Sequence, residues 1–318
     1  MKILVTGGAG YIGSVVVADL IKLGHQVKVF DDLSTGHEDA IDPAATFING
    51  SMLDKLALAS ALHNCEAVIH FAAKSLVGES VTNPELYWNT NLIGTKNLLT
   101  AMVQADVRKI VFSSTAAVYG DPLSSPITET AQTIPKSPYG ESKLAVDDLL
   151  SEFCQSEKFA AISLRYFNVA GAVGNLGERH SPETHLIPNI LSAVLNSEHI
   201  FEIYGDSWPT KDGTCIRDYI HVADLSVAHV KALTKLTHGT HHILNLGTET
   251  GSSVLDVVAA VEAVTGKKVE TQISSPRDGD PAILVTSNKL AKEILGWEPV
   301  YDLPKIVEDA YEFMKANR

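Results

Sequence analysis

The chain has 318 residues, 45% hydrophobic and 20% charged, which is enough apolar material for a large core in one large domain or two. Its 38 acidic and 25 basic side chains leave a net charge of −13, with only six arginines, which argues against nucleic acid and anionic membrane surfaces as partners. No apolar run reaches spanning length, no signal-peptide cleavage site follows the first residues, and Cys65, Cys154 and Cys215 are scattered in apolar contexts. A cytoplasmic protein with buried free thiols and no metal site is expected.

Lys2–Thr6 reads as a strand, Gly7-Gly8-Ala9-Gly10-Tyr11-Ile12-Gly13 as a turn, and Ser14–Leu23 as a helix. Glycines at 7, 10 and 13 permit a tight turn and let the backbone approach a pyrophosphate at a helix N-terminus. Gln26–Phe30 is a second strand ending in Asp31-Asp32. A carboxylate there can accept hydrogen bonds from both ribose hydroxyls and repels a 2′-phosphate, so the pattern favours NAD. Thr46–Ile48 is a candidate strand, Lys55–Leu62 a helix, and Ala67–Phe71 a fully apolar strand running into Ala72 and Ala73, small enough for a cofactor to lie close. Continuous apolar strands between helices indicate a parallel sheet. Leu86–Ala105 reads as one long helix with Asn91 in its middle.

Lys109–Phe112 is the next strand and ends in Ser113-Ser114-Thr115, hydroxyls that would face the ligand crevice of such a sheet. Thr115 is placed either to bond a reacting hydroxyl or to cap a turn. Asp121–Pro138 is a Pro/Ser/Thr-rich loop able to cover a pocket. Pro138 then opens a helix whose first turns hold Tyr139 and Lys143, four residues apart and so on one face. A phenol titrates near ~10, so serving as a base at neutral pH needs a drop of about three units, ~4 kcal/mol. An ammonium at ~4 Å supplies ~1 kcal/mol in water but ~4 kcal/mol at an effective dielectric near 20, so the pair works only in a partly desolvated cleft.

Ala160–Phe167 is a further strand, and after Asn168 the texture changes to a smaller, mixed lobe. In it Ile187–Asn196 and Val254–Thr265 read as helices, and Phe201–Tyr204 and Lys268–Ile273 as strands. His221–Leu236 and the strand His242–Asn245 return to the main sheet. His238, His241 and His242 cluster without metal-ligand spacing and read as a solvated loop. The fold expected is α/β: a doubly wound parallel Rossmann sheet over 1–168, with about 218–247 returning to it, and a mixed α/β lobe over 169–318.

With GGAGYIG, Asp31, HFAA, SST and YGESK in hand, and with Leu164–Asn168, Pro209–Thr214 and Arg217–Val222 beside them, the chain resembles the extended short-chain dehydrogenase/reductase family over essentially its whole length. The likeness is strongest to the branch that inverts C4 of UDP-hexoses. It implies NAD bound by Gly7, Gly10, Tyr11, Ile12 and Gly13 at the pyrophosphate, and by Asp31 and Asp32 at the adenosine ribose. Phe71, Ala72, Ala73, Asn91, Ser113 and Tyr166 would line the cofactor. Tyr139 would be the acid/base, Lys143 its electrostatic partner and ribose ligand, and Thr115 the assisting hydroxyl. Asn168, Leu186, Tyr204, Arg217, Arg277 and Asp280 would hold a UDP-hexose, beside Thr115 and Tyr139. His185 stands where some members have a substrate-touching asparagine. The resemblance further implies a homodimer. Rival readings are a UDP-glucuronate enzyme of the same fold and a non-catalytic NAD-sensing protein.

Overall fold

In the first strand, β1 (Lys2–Thr6), Ile3 and Val5 enter the apolar layer on one face of a sheet while Leu4 enters the layer on the other. Val29 and Phe30 of β2 (Gln26–Asp31) divide the same way. A strand apolar on both faces must be covered on both, so these runs build a parallel sheet between helices. The computed structural model describes residues 1–196, 200–276 and 280–317. β1 and β2 join β3 (Thr46–Asn49), β4 (Ala67–His70), β5 (Lys109–Thr115) and β6 (Ala160–Tyr166) in one sheet, completed by β10 (Thr240–Leu246). The seven strands run in the order β10-β6-β5-β4-β1-β2-β3, and every pairing is parallel. The strand order reverses at β1, which opens a crevice beyond the carboxyl ends of the strands. The doubly wound α/β fold is as expected.

A smaller mixed sheet groups β7 (Asn168–Ala170), β9 (Ile216–His221), β11 (Gly251–Ser253) and β13 (Ile283–Leu284), while β8 (Phe201–Tyr204) pairs with β12 (Thr271–Ser274). This part has its own core, in which Ile190, Leu191, Val257, Val261, Ile306 and Val307 are buried. Between its strands the chain returns to the large sheet. Helix Val222–Lys235 packs on helix Tyr11–Lys22, Ser226 Oγ donating to Asp19 Oδ2 at 2.6 Å, and β10 then pairs with β6.

The structure departs from the sequence reading in several places. The long helix expected over Leu86–Ala105 runs without a gap from Pro84 to Gln104 but changes its winding: Pro84–Tyr87 and Gly94–Gln104 are α-helical, and Trp88–Ile93 between them is a wider π-type segment. That widening is a local device often found near functional sites. It turns Asn91 inward, where the buried amide accepts from Lys74 N at 2.8 Å and donates to Lys74 O at 3.1 Å and Ser142 Oγ at 3.0 Å. The Pro/Ser/Thr-rich loop is no cover. Its Ile127 is fully buried, bonded to Val285 O and Ser287 N at 2.8 Å each, and no residue of 121–137 lines the large cleft. Of the clustered histidines, His238 lies in an exposed turn and His242 in the strand as expected, while His241 joins β10, its ring bridging Ser151 Oγ and Ser163 Oγ at 2.8 Å each. β9 escaped the sequence reading because Arg217 and Asp218 interrupt its apolar pattern. Cys154 and Cys215 are buried free thiols as expected, whereas Cys65 is only half-buried.

A buried polar network braces the helix that carries Tyr139 and Lys143. Asp147 Oδ2 accepts from Arg165 Nε at 3.0 Å, Arg165 Nη2 at 2.8 Å and Ser114 Oγ at 3.1 Å. Arg165 Nη1 reaches the Tyr119 hydroxyl at 3.1 Å, which donates to Asn245 Oδ1 at 2.7 Å. Helix Pro138–Ser156, β5, β6 and β10 are thereby tied together behind the crevice.

Candidate active site

The crevice is a cleft of about 1040 Å³ lined from both bodies of the molecule. Small-ligand pockets span about 300–1,000 Å³, so this one has room for more than one ligand.

At one end lies the glycine turn. Gly7 has φ +72°, and a Cβ there would lie 2.5 Å from Ala72 N; a Cβ on Gly13 would lie 2.2 Å from Gly7 O. Only glycine fits either position. Gly10 caps helix Tyr11–Lys22 with no side-chain hydrogen bond, which leaves the first backbone N–H groups of that helix free for an anion. At the end of β2, Asp31 is buried, its Oδ2 accepting from Ala9 N at 3.0 Å and its Oδ1 from Leu33 N at 2.9 Å. Burial pushes its carboxyl up, and those two backbone N–H groups oppose the push. Each oxygen keeps a lone pair for a ribose hydroxyl. Asp32 is exposed and accepts from Ser34 N at 3.0 Å. The bare turn, the uncapped helix and the carboxylate at the next strand end fit a dinucleotide without a 2′-phosphate.

The chemistry-bearing end forms where β5 meets helix Pro138–Ser156. Ser137 caps that helix by accepting from Gly140 N at 3.2 Å, and Pro138 supplies its first turn. Tyr139 and Lys143 follow on the face toward the cleft. Of the two roles open in the sequence the structure shows the turn cap, Thr115 accepting from Ala117 N at 3.2 Å at the head of Ala116–Tyr119, and its hydroxyl also acts on the Tyr139 phenol. Lys143 is buried, donates to Ser113 O at 2.7 Å, and stands 4.8 Å from the Phe112 ring centre. Ser113 Oγ in turn pairs with the Tyr166 hydroxyl.

Tyr139 and Lys143 sit in the desolvated setting that the sequence reading required. Burial pushes the Tyr139 phenol above its usual range, and the group opposing that shift is Thr115, not Lys143. Lys143 is itself drawn down to about 7 by burial, with Asp147 one helical turn further on acting against the fall. Both side chains share one desolvated wall, so burial penalises the charged form of each, and the ammonium, with one N–H on the Ser113 carbonyl, keeps two for a ligand.

The opposite wall comes from the smaller body. Asn168 opens β7, Leu186 opens helix Leu186–Leu195, Tyr204 ends β8, and Arg217 lies in β9; all four line the cleft with Asp280. Arg217 donates to Ile216 O at 2.9 Å and Pro281 O at 2.8 Å, and stands 3.5 Å from Asp280 Oδ1. The structure therefore brings Gly7, Gly10, Tyr11, Ile12, Gly13, Asp31, Asp32, Phe71, Ala72, Ala73, Ser113, Thr115, Tyr139, Lys143 and Tyr166 to the same cleft as those five. Asn91 stands behind the wall, holding Lys74, which does line it. Arg277 lies outside the described residues. Lining residues that the sequence reading passed over include Lys74, Glu178, His180 and Tyr219. Tyr219 sits inside a motif already singled out, and Lys74 directly follows HFAA, so both had a signal.

A dinucleotide turn, an ionisable phenol with a hydroxyl partner and an arginine across the gap define a nicotinamide-dependent α/β enzyme with a second ligand in the same cleft. More specifically, the chain belongs to the NAD dependent epimerase/dehydratase family, whose model matches residues 3–247. A relative from Corynebacterium glutamicum named UDP-glucose 4-epimerase is 47% identical over 317 residues, covering 99% of this chain and 96% of its own. The structure of UDP-glucose 4-epimerase from Brucella ovis in complex with NAD is 41% identical, with TM-score 0.94 and 98% of each chain covered. That of the Bifidobacterium longum UDP-glucose 4-epimerase in complex with NAD+ and UDP is 33% identical, with TM-score 0.94, covering 100% of this chain and 99% of that one.

Proposed function

We propose that the protein is an NAD-dependent isomerase that interconverts UDP-galactose and UDP-glucose by inversion at C4 through a transient 4-keto sugar. The observation that carries this reading is the grouping of Tyr139, Thr115 and Lys143 in the cleft that Arg217 lines from the other body. When bound, NAD supplies the hydride acceptor and donor and, in its oxidised form, a positive charge near the phenol. Tyr139 takes the proton of the 4-hydroxyl and later returns it. Thr115 holds the phenol and the reacting oxygen in line, and Lys143 holds the Ser113 strand end and the ribose side of the cleft. Arg217, with Arg277, grips the diphosphate, so the keto sugar stays attached while its ring turns over. Fixed local cations outweigh the distant, screened charge of an acidic chain.

In this reading residues 1–168, with 218–247 returned to them, hold NAD, and 169–318 hold the UDP-sugar, Asn168, Leu186, Tyr204 and Asp280 at its edges. The pairing of β10 with β6 supports the division. The protein works as a homodimer in the cytoplasm, in galactose metabolism; no helix among the described residues is long and apolar enough to cross a membrane. The direct test is separation of the products formed from UDP-galactose by the purified protein. UDP-glucose is expected; turnover of UDP-glucuronate alone would favour the uronate reading.

Asp31 makes a second expectation. NAD should bind more tightly than NADP, because the buried carboxylate would face the 2′-phosphate. Dissociation constants for both, measured by fluorescence or calorimetry, decide it; equal or tighter NADP binding would misplace the ribose site.

A further inference from the structure

The loop between β7 and helix Leu186–Leu195 contains Glu-x-His twice, as Glu178-Arg179-His180 and Glu183-Thr184-His185. Both copies close in the same way. Glu178 Oε1 accepts from His180 N at 2.9 Å and pairs with its Nδ1 at 2.5 Å; Glu183 Oε1 does the same for His185 N and Nδ1, at 2.7 Å each. The loop then folds the copies together. The two imidazole centres are 5.5 Å apart, and Glu178 Oε2 is 3.7 Å from His185 Nδ1. Glu178, His180 and His185 can each offer one atom, and those three atoms lie within 4.8 Å of one another. All three residues are half-buried and line the cleft, and the C4 chemistry uses neither Glu178 nor His180.

Two imidazoles and a carboxylate form the nitrogen and oxygen donor set that suits zinc, with bonds of about 2.0–2.2 Å. Donors of a tetrahedral site built on such bonds lie about 3.4 Å apart, so an ion would draw this cluster closer together. We propose that Glu178, His180 and His185 form a binding site for a zinc-class divalent cation, with its fourth position open to the cleft. Glu183 orients His185 from behind, as carboxylates do for metal-binding histidines. The ion acts as a clamp. Arg179, inside the cluster, pairs with Asp39 beside the cofactor turn, and Leu186, next after His185, opens the helix on the far wall. Fixing 178–185 therefore fixes the seam between the two bodies.

The test uses the full chain with NAD, cleared of metal by a chelator and titrated with Zn2+ in a calorimeter. One equivalent should bind in the micromolar range or tighter, and Co2+ in its place should give the visible spectrum of a four-coordinate nitrogen/oxygen site. Glu178→Gln, His180→Ala and His185→Ala should each weaken zinc by at least about tenfold, Glu183→Gln by about 10–100-fold, and the exposed His63→Ala not at all. If one of the donor variants fails to fold, Glu183→Gln keeps all three donors and carries the test. Absence of saturable zinc binding, or stoichiometric binding that survives all four substitutions, would overturn the site. Heat and spectrum are read without turnover, so this proposal and the epimerase reading fail independently.

Discussion

Tyr139→Phe should lower kcat by about 10²–10⁴-fold, the usual contribution of a positioned acid/base group. The change removes one oxygen and keeps the ring, which stands edge-on to Tyr87 with ring centres 6.3 Å apart. Packing is preserved, and NAD and UDP-sugar affinities should stay within a few-fold of wild type. Only the proton transfer loses its agent, and Thr115 can hold the substrate oxygen but cannot replace a phenolate as base. Steady-state kinetics with both binding constants separate these terms. A kcat within a few-fold of wild type would remove Tyr139 from the mechanism.

Arg165→Ala should cost about 3–5 kcal/mol of stability, because it leaves Asp147 buried and charged without its partner. Asp147 has little to fall back on: its Oδ1 already lacks a hydrogen-bond partner, and Ser114 alone would remain on Oδ2. The same substitution frees the Tyr119 hydroxyl from one of its two bonds. Urea unfolding of the two proteins measures the difference. A loss below about 1 kcal/mol would mean that water or rearrangement satisfies the carboxylate, and that the network does not brace the helix bearing Tyr139 and Lys143.

The sequence made visible those parts of the site whose geometry is local. The glycines at 7 and 13, the carboxylate at the end of β2, the hydroxyls ending β5, and Tyr139 with Lys143 on one helical face all follow from spacing within one strand or turn. What it hid depends on partners distant along the chain. Arg165 reads as one residue of a strand, and only the fold shows that it answers Asp147 and Tyr119. Asn91 reads as a mid-helix amide; the widened turn that points it at Lys74 leaves no composition signal. The loop over 121–138 looks like a cover, yet Ile127 binds it to the strand edge near Val285. The sequence argument gave the phenol's activation to Lys143. The fold adds Thr115, whose hydroxyl opposes the effect of burial on the phenol, a partner that spacing within the helix could not show.

In the proposed reaction hydride leaves C4 and returns to the same sugar within one cleft. UDP-galactose carrying deuterium at C4, incubated with the NAD-loaded protein in ordinary water, tests it through the mass of the UDP-glucose formed. The product should keep its deuterium, and no free NADH should accumulate. Deuterium lost to solvent, or NADH released in step with substrate consumed, would contradict it.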